Sequence, residues 1–181
     1  MKNLNQEILK FNFDKNLKED DYYVSKSNFH VYELLNKWPN WEKNFLNISG
    51  ESFSGKTHLV NIFLKKFKGI KLETKDLNNE TLKEIKIYQN IVLENFNLNI
   101  DENLAYTLFN IIEQDNKYLI LTSKKPIVDI GFKLKDLNSR CKNFLILGID
   151  KPDDELIFAL IIKNLSDKQI SLDNKLISYI V

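Results

Sequence analysis

Short apolar runs alternate along the chain with stretches whose apolar residues recur every three or four positions. Five runs have strand length: Phe45–Ile48, Ile70–Leu72, Ile91–Leu93, Tyr118–Thr122 and Phe144–Leu147. Between them, helical periods occupy His58–Phe67, Leu77–Ile85 and Asn103–Gln114, the last placing Leu104, Leu108, Phe109 and Ile112 on one stripe. Phe29, Tyr32, Leu34 and Leu35 predict an earlier helix capped by Ser27 or Asn28. Asp153–Leu165 predicts a later one, opened by Pro152 and an acidic first turn. A final apolar helix is expected over Asn174–Val181. Strands alternating with helices predict an α/β fold with a central parallel five-stranded sheet between helical layers, a three-layer sandwich. The polar residues before Asp21 carry no long period and predict a mobile arm, interrupted by the apolar island Gln6-Glu7-Ile8-Leu9-Lys10-Phe11. That island reads either as a strand or staple on the domain or as a linear docking motif.

Composition narrows the class without naming a function. With 181 residues, 43% hydrophobic and 28% charged, the chain has enough material for one domain with a real core. A net charge of +1 makes no case for a broad electrostatic grip on nucleic acid or membrane. Direct DNA binding is therefore expected to be weak or lacking, and no membrane partner is expected. The longest apolar stretch, Leu156–Ile162, is far short of the ~20 residues of a membrane helix. The single cysteine, Cys141, fits a buried thiol in a reducing cytosol. His30 and His58 are too few and too far apart for a metal site. Trp38 and Trp41, flanking Pro39-Asn40, read as a packed corner, and Lys65, Lys66 and Lys68 as a solvated helix face.

The chemistry is concentrated in Gly50-Glu51-Ser52-Phe53-Ser54-Gly55-Lys56-Thr57, which follows the first predicted strand and opens a helix. It satisfies the phosphate-loop pattern G-x-x-x-x-G-K-[ST]. Gly50 and Gly55 allow a tight ring whose backbone N–H groups, with the following helix N-terminus, form an anion site. Lys56 adds a cation for the outer phosphates, and the Thr57 hydroxyl can ligate Mg2+. The expected cofactors are ADP or ATP with Mg2+.

Three further elements belong with the loop. Glu94 ends the run Ile91-Val92-Leu93 and reads as a carboxylate that holds Mg2+ through water, or as a plain strand-end charge. Asn95 follows it; an amide takes no proton, so general-base help from that position is lost. Thr122 and Ser123 close the fourth run, where a hydroxyl can sense the outer phosphate (sensor 1) or simply cap the next turn. Arg140 is the only arginine in a chain with 26 lysine and arginine residues together. A retained guanidinium suggests bidentate geometry, either toward a neighbouring subunit's nucleotide or toward a local acid.

In this order and spacing, the elements resemble the DnaA-like AAA+ family of P-loop NTPases, closest to its shorter regulatory member Hda. Gly55-Lys56-Thr57-His58-Leu59 is similar to the family's G-K-T-H-L, Leu121-Thr122-Ser123 with Pro126 to its sensor 1 region, and Leu137-Asn138-Ser139-Arg140 to its arginine-finger segment. Asp21 to Asn28 is similar to the stretch that borders the adenine, which implies nucleotide contacts from Tyr23 and Val24 beside those of residues 50–57 and His58. The resemblance implies an arm over residues 1–20, an AAA+ core over 21–150 and the start of a helical lid over 151–181. It also implies that Gln6, Ile8, Leu9 and Phe11 dock on the DNA polymerase sliding clamp, although Glu7 stands where an apolar residue is usual. Arg140 would be a trans arginine finger that stimulates hydrolysis of DnaA-bound ATP.

The implied function is negative regulation of bacterial replication initiation. The implied partners are DnaA and the clamp, with self-association left open, in a bacterial cytoplasm and at the nucleoid through the clamp. A DnaA-recruiting adaptor without effect on hydrolysis and a helicase-loader-like ATPase are the alternatives. Asn95, Lys124 in place of an acidic sensor, and a lid expected to be truncated or largely missing all point to weak or no intrinsic hydrolysis.

Overall fold

The computed structural model describes residues 19–170. The clamp-motif residues Gln6, Ile8, Leu9 and Phe11 and the helix expected over Asn174–Val181 lie outside the described residues. The elements run α1 (Phe29–Asn36), β1 (Phe45–Ser49), α2 (Lys56–Phe67), β2 (Ile70–Glu73), α3 (Asn79–Glu84), β3 (Asn90–Phe96), α4 (Glu102–Gln114), β4 (Tyr118–Ser123), α5 (Lys135–Cys141), β5 (Leu145–Gly148) and α6 (Asp154–Asp167). All five expected strands form, and they pair in parallel in the order β2-β3-β4-β1-β5.

Side-chain alternation divides the core between the two faces of this sheet. On one face, Ile91 and Leu93 of β3 and Leu119 and Leu121 of β4 pack with Leu108, Phe109 and Ile112 of α4 and Leu137 of α5. On the other, Leu46 and Ile48 of β1, Val92 of β3 and Ile120 of β4 pack with Val31 and Leu35 of α1 and Leu59, Val60 and Phe63 of α2. Parallel strands covered on both faces are apolar at nearly every position, which is why β3 and β4 read as continuous runs. Glu94 shares the parity of Val92 and so falls on the α2 face, at the carboxyl end of the strand.

Local chemistry explains where the elements depart from the sequence pattern. Asn28 is the N-cap position of α1, but its side chain accepts from the Ser25 N–H and donates to the Tyr23 carbonyl, so it braces the preceding loop and does not bond the helix. The helix expected over Leu77–Ile85 is shortened to α3 and runs on into a 3-10 turn at Ile85–Ile87, and a separate 3-10 turn at Thr74–Asp76 precedes it. Asn78 sets the start of α3 through a capping box with Thr81. Phe144 lies one residue before β5 and packs its ring on Phe45 and Phe109. Helix α5 was not legible in the pattern: seven residues offer only Leu137 and Cys141 as a buried pair. Trp38 and Trp41 do form a packed corner, on Phe63 and Tyr118. Among the described residues no helix is long and apolar enough to cross a membrane.

Candidate functional site

The site lies at the carboxyl end of β1, between β4 and β5. The Gly50 N–H donates to the Ser123 carbonyl at 3.1 Å, which ties the mouth of the phosphate loop to the end of β4. A Cβ at Gly50 would lie 2.9 Å from Ser54 Oγ and 3.3 Å from Ile149, so a side chain there would require the loop to shift. Gly55 is the N-cap of α2 at φ +92°, a conformation that L side chains rarely adopt. The helix therefore starts with its N–H groups and positive dipole end directly behind the loop.

Lys56 lies across the loop, its ammonium donating to the Gly50 and Glu51 carbonyls, both at 2.7 Å, and to Ser54 Oγ at 3.2 Å. Burial lowers its pKa; Lys124 pushes the same way, while Glu51 and Glu94 oppose. An ammonium held on neutral carbonyls and short of a full counter-charge suits capture of a phosphate anion. At the next residue, the Thr57 hydroxyl donates to Glu94 Oε1 at 2.7 Å. The structure thus brings together the two residues read as magnesium-binding. Glu94 is only 2% exposed, and its second oxygen faces Lys71 Nζ at 3.3 Å. The oxygen donor set of Thr57 and Glu94 fits a hard divalent cation. Among the described residues no group of three His, Cys, Asp or Glu side chains could hold a metal by itself, so such an ion would depend on phosphate oxygens.

The remaining residues of the sequence reading fall at different distances from this centre. Phe53, at the loop tip, is 97% exposed at φ +67°. Thr122 and Ser123 are buried, and both hydroxyls are engaged in the protein. Thr122 Oγ1 accepts from the Asn95 N–H, while Ser123 Oγ accepts from Asn47 and donates to the Lys125 carbonyl. Asn95 takes φ +59°, where Asn is among the better-tolerated residues, at an irregularity in the β3–β4 register. Its amide donates to Glu73 Oε2 at 2.7 Å. Tyr23 is 38% exposed and its hydroxyl donates to Glu155 of α6. Val24 lines an open hollow of about 450 Å³ with Phe29, His30 and Glu155. Arg140 stands apart from the loop, on α5. It donates to Glu113 Oε2 of α4 at 2.6 Å and stacks over the Tyr106 ring at 4.9 Å.

Four residues escaped the sequence reading. Tyr22 packs its ring against Gly55 and, edge-on, against His58; its hydroxyl is buried with no hydrogen-bond partner, and burial pushes the phenol well above its usual range. Asn47, fully buried in β1, donates to Ser123 Oγ and the Leu121 carbonyl and accepts from the Ile127 N–H. Lys71 and Glu73 come from β2, which the sheet order places at an edge. The signals were present in a polar residue inside an apolar run and an aromatic beside Tyr23, but neither names its partner.

The sheet order, the loop at the end of β1 and Glu94 at the end of β3 decide the architecture, and solved structures share it. Domain III of the Thermotoga maritima replication initiation protein DnaA superposes with a TM-score of 0.72 at 15% identity, over 92% of this chain and 80% of that one. Its fold is that of the DnaA AAA+ domain. AMPPCP-bound DnaA from Aquifex aeolicus gives a TM-score of 0.72 at 19% identity, over 88% of this chain and 58% of that one. In sequence, the chromosomal replication initiator protein DnaA of Mycoplasma capricolum is 28% identical over 89% of this chain. The chain spans 42% of that relative's length. No protein-family model matches the chain. A special closeness to Hda finds no support in these likenesses, which stop at the DnaA AAA+ fold.

Proposed function

We propose that this chain is a nucleotide-binding AAA+ module of bacterial replication initiation that acts on DnaA. The carrying observation is a phosphate-holding apparatus, with Lys56 on the loop and Thr57 on Glu94, next to an amide at the position from which a carboxylate would activate water. Such a site retains ADP or ATP and turns it over slowly. The likeness to a DnaA that binds AMPPCP supports the nucleotide class. Residues 50–57 and His58 hold the phosphates, and Tyr23 and Val24 border the base. Thr57 and, through water, Glu94 would hold Mg2+, which when bound screens the charge of the outer phosphates. Thr122 and Ser123, at the end of β4, sense the state of the outer phosphate.

In this reading the bound nucleotide fixes the domain and Arg140 serves a neighbour. The chain docks on the sliding clamp through Gln6, Ile8, Leu9 and Phe11, and Arg140 leaves Glu113 for the γ-phosphate of ATP on DnaA. An arginine supplied in trans accelerates phosphoryl transfer by ~10³–10⁵, so one side chain is sufficient. The test is single-turnover hydrolysis by ATP-loaded DnaA with clamp on DNA and this protein in its ADP form. The unaltered protein is expected to raise the rate at least ~100-fold over Arg140→Ala. Equal stimulation by the two proteins rejects the finger.

The contact of Arg140 with Glu113 and Tyr106 favours one alternative, an adaptor that recruits DnaA without touching its nucleotide. There the guanidinium only joins α5 to α4. DnaA capture with no change in hydrolysis by either protein selects that role.

A further inference from the structure

We propose that Lys71 is a built-in counter-ion for Glu94 that frees nucleotide binding from magnesium; this rests on the nucleotide reading of the loop. A carboxylate as deeply buried as Glu94 must be hydrogen-bonded and charge-compensated. Thr57 meets the first need through Oε1, and Lys71 meets the second through Oε2. The lysine is not a loose surface cation. It rises from β2, the strand beside β3, where Lys71 pairs in register with Val92 and so faces the α2 side with Glu94. Its ammonium also donates to Asn61 Oδ1 at 2.9 Å. Asn61 lies four residues after Thr57 on α2, hence on the same helical face. One ammonium is thereby clamped between the strand-end acid and the helix that carries the phosphate loop.

The consequence concerns what a divalent ion can gain here. Mg2+ holds its waters tightly and is bound through one or two carboxylates plus phosphate oxygens. The carboxylate that the Thr57 hydroxyl bonds is Glu94, and its charge is already matched by Lys71. The negative potential that would draw the ion is reduced, and any outer ion rests chiefly on the phosphates. Lys56 and the helix N-terminus remain as the protein's own electrostatic hold on the phosphates.

The experiment is equilibrium binding of a fluorescent ADP analogue to the unaltered protein, Lys71→Met and Lys71→Arg, each in Mg2+ and in EDTA, with thermal melts to verify folding. The unaltered protein and Lys71→Arg are expected to change affinity less than ~3-fold between the two buffers, and Lys71→Met to lose at least ~10-fold in EDTA. A loss of ~10-fold or more in the unaltered protein, or a Lys71→Met response equal to it, overturns the proposal. No binding by a folded protein in either buffer defeats the nucleotide reading itself, and with it the role of Lys71.

Discussion

Phe53 shows how a single residue can satisfy a motif and still strain it. The phosphate-loop pattern leaves its position free, but the backbone there is left-handed, which costs an L residue ~1–2 kcal/mol. The ring recovers none of this by packing, since it is 97% exposed. Phe53→Gly is expected to stabilise the fold by ~0.5–1 kcal/mol net of glycine's greater unfolded-state entropy, a rise of ~1–4 °C in the melting midpoint. Phe53→Ala should leave the midpoint in place, because alanine keeps the strain; calorimetry of the three proteins decides. At this scale the sequence offers candidate residues and not what they touch. Lys56 and Thr57 were legible because the loop is one contiguous segment. Lys71 and Glu94 were not legible as a pair, since strand pairing brings them together; nor were Arg140 and Glu113, which join two helices. The buried thiol of Cys141 did follow from composition, and burial pushes it up to about 12.

Among the elements, β1 joins both halves of the core. Its odd positions face α4 and α5, its even positions face α1 and α2, and Asn47 is the one polar side chain placed in the first set with no exposure. The apolar run hid this residue's purpose. Asn47 is a joint: it fixes Ser123 at the end of β4 and receives the Ile127 N–H of the turn beyond. Asn47→Leu has similar bulk and no hydrogen bonds, and it strands the Ile127 N–H in the core. Denaturant unfolding should show a loss of ~1–3 kcal/mol with an unchanged slope. Side-chain caps sit close to the expected starts of two helices, Asp101 at α4 and Asp153 at α6, while α1 starts where expected with no capping bond from Asn28. The start of α5 was hidden; its first residue is preceded by Leu134 with no capping bond.

Across the whole molecule, polar contacts join the segment before α1 to the far end of the chain. Tyr23 reaches Glu155, Lys163 pairs with Asp21 at 3.1 Å, and the Asp150 N–H donates to the Ser27 carbonyl, so α6 is fastened to the segment that runs beside the loop. A ligand gripped by the loop should therefore stabilise the fold as a unit. ADP at about a hundred times its dissociation constant is expected to add ~2.7 kcal/mol, seen as a rise of several degrees in the melting midpoint that vanishes in Lys56→Ala. The sheet's parallel α/β class was open to sequence reasoning because the two periods alternate cleanly. The placing of β1 between β4 and β5 was not, since no local pattern encodes strand order. That order bears on how the chain is made. When β1 leaves the ribosome neither of its neighbours exists: Asn47 and the Leu121 carbonyl it will bond are 74 residues apart. At ~5–20 residues per second, the strand waits several seconds for its first partner and longer for β5. Over that interval Phe45-Leu46-Asn47-Ile48 is an apolar edge with both sides open, and the newborn chain depends on chaperones or on early collapse of α1 and α2 to stay out of aggregates.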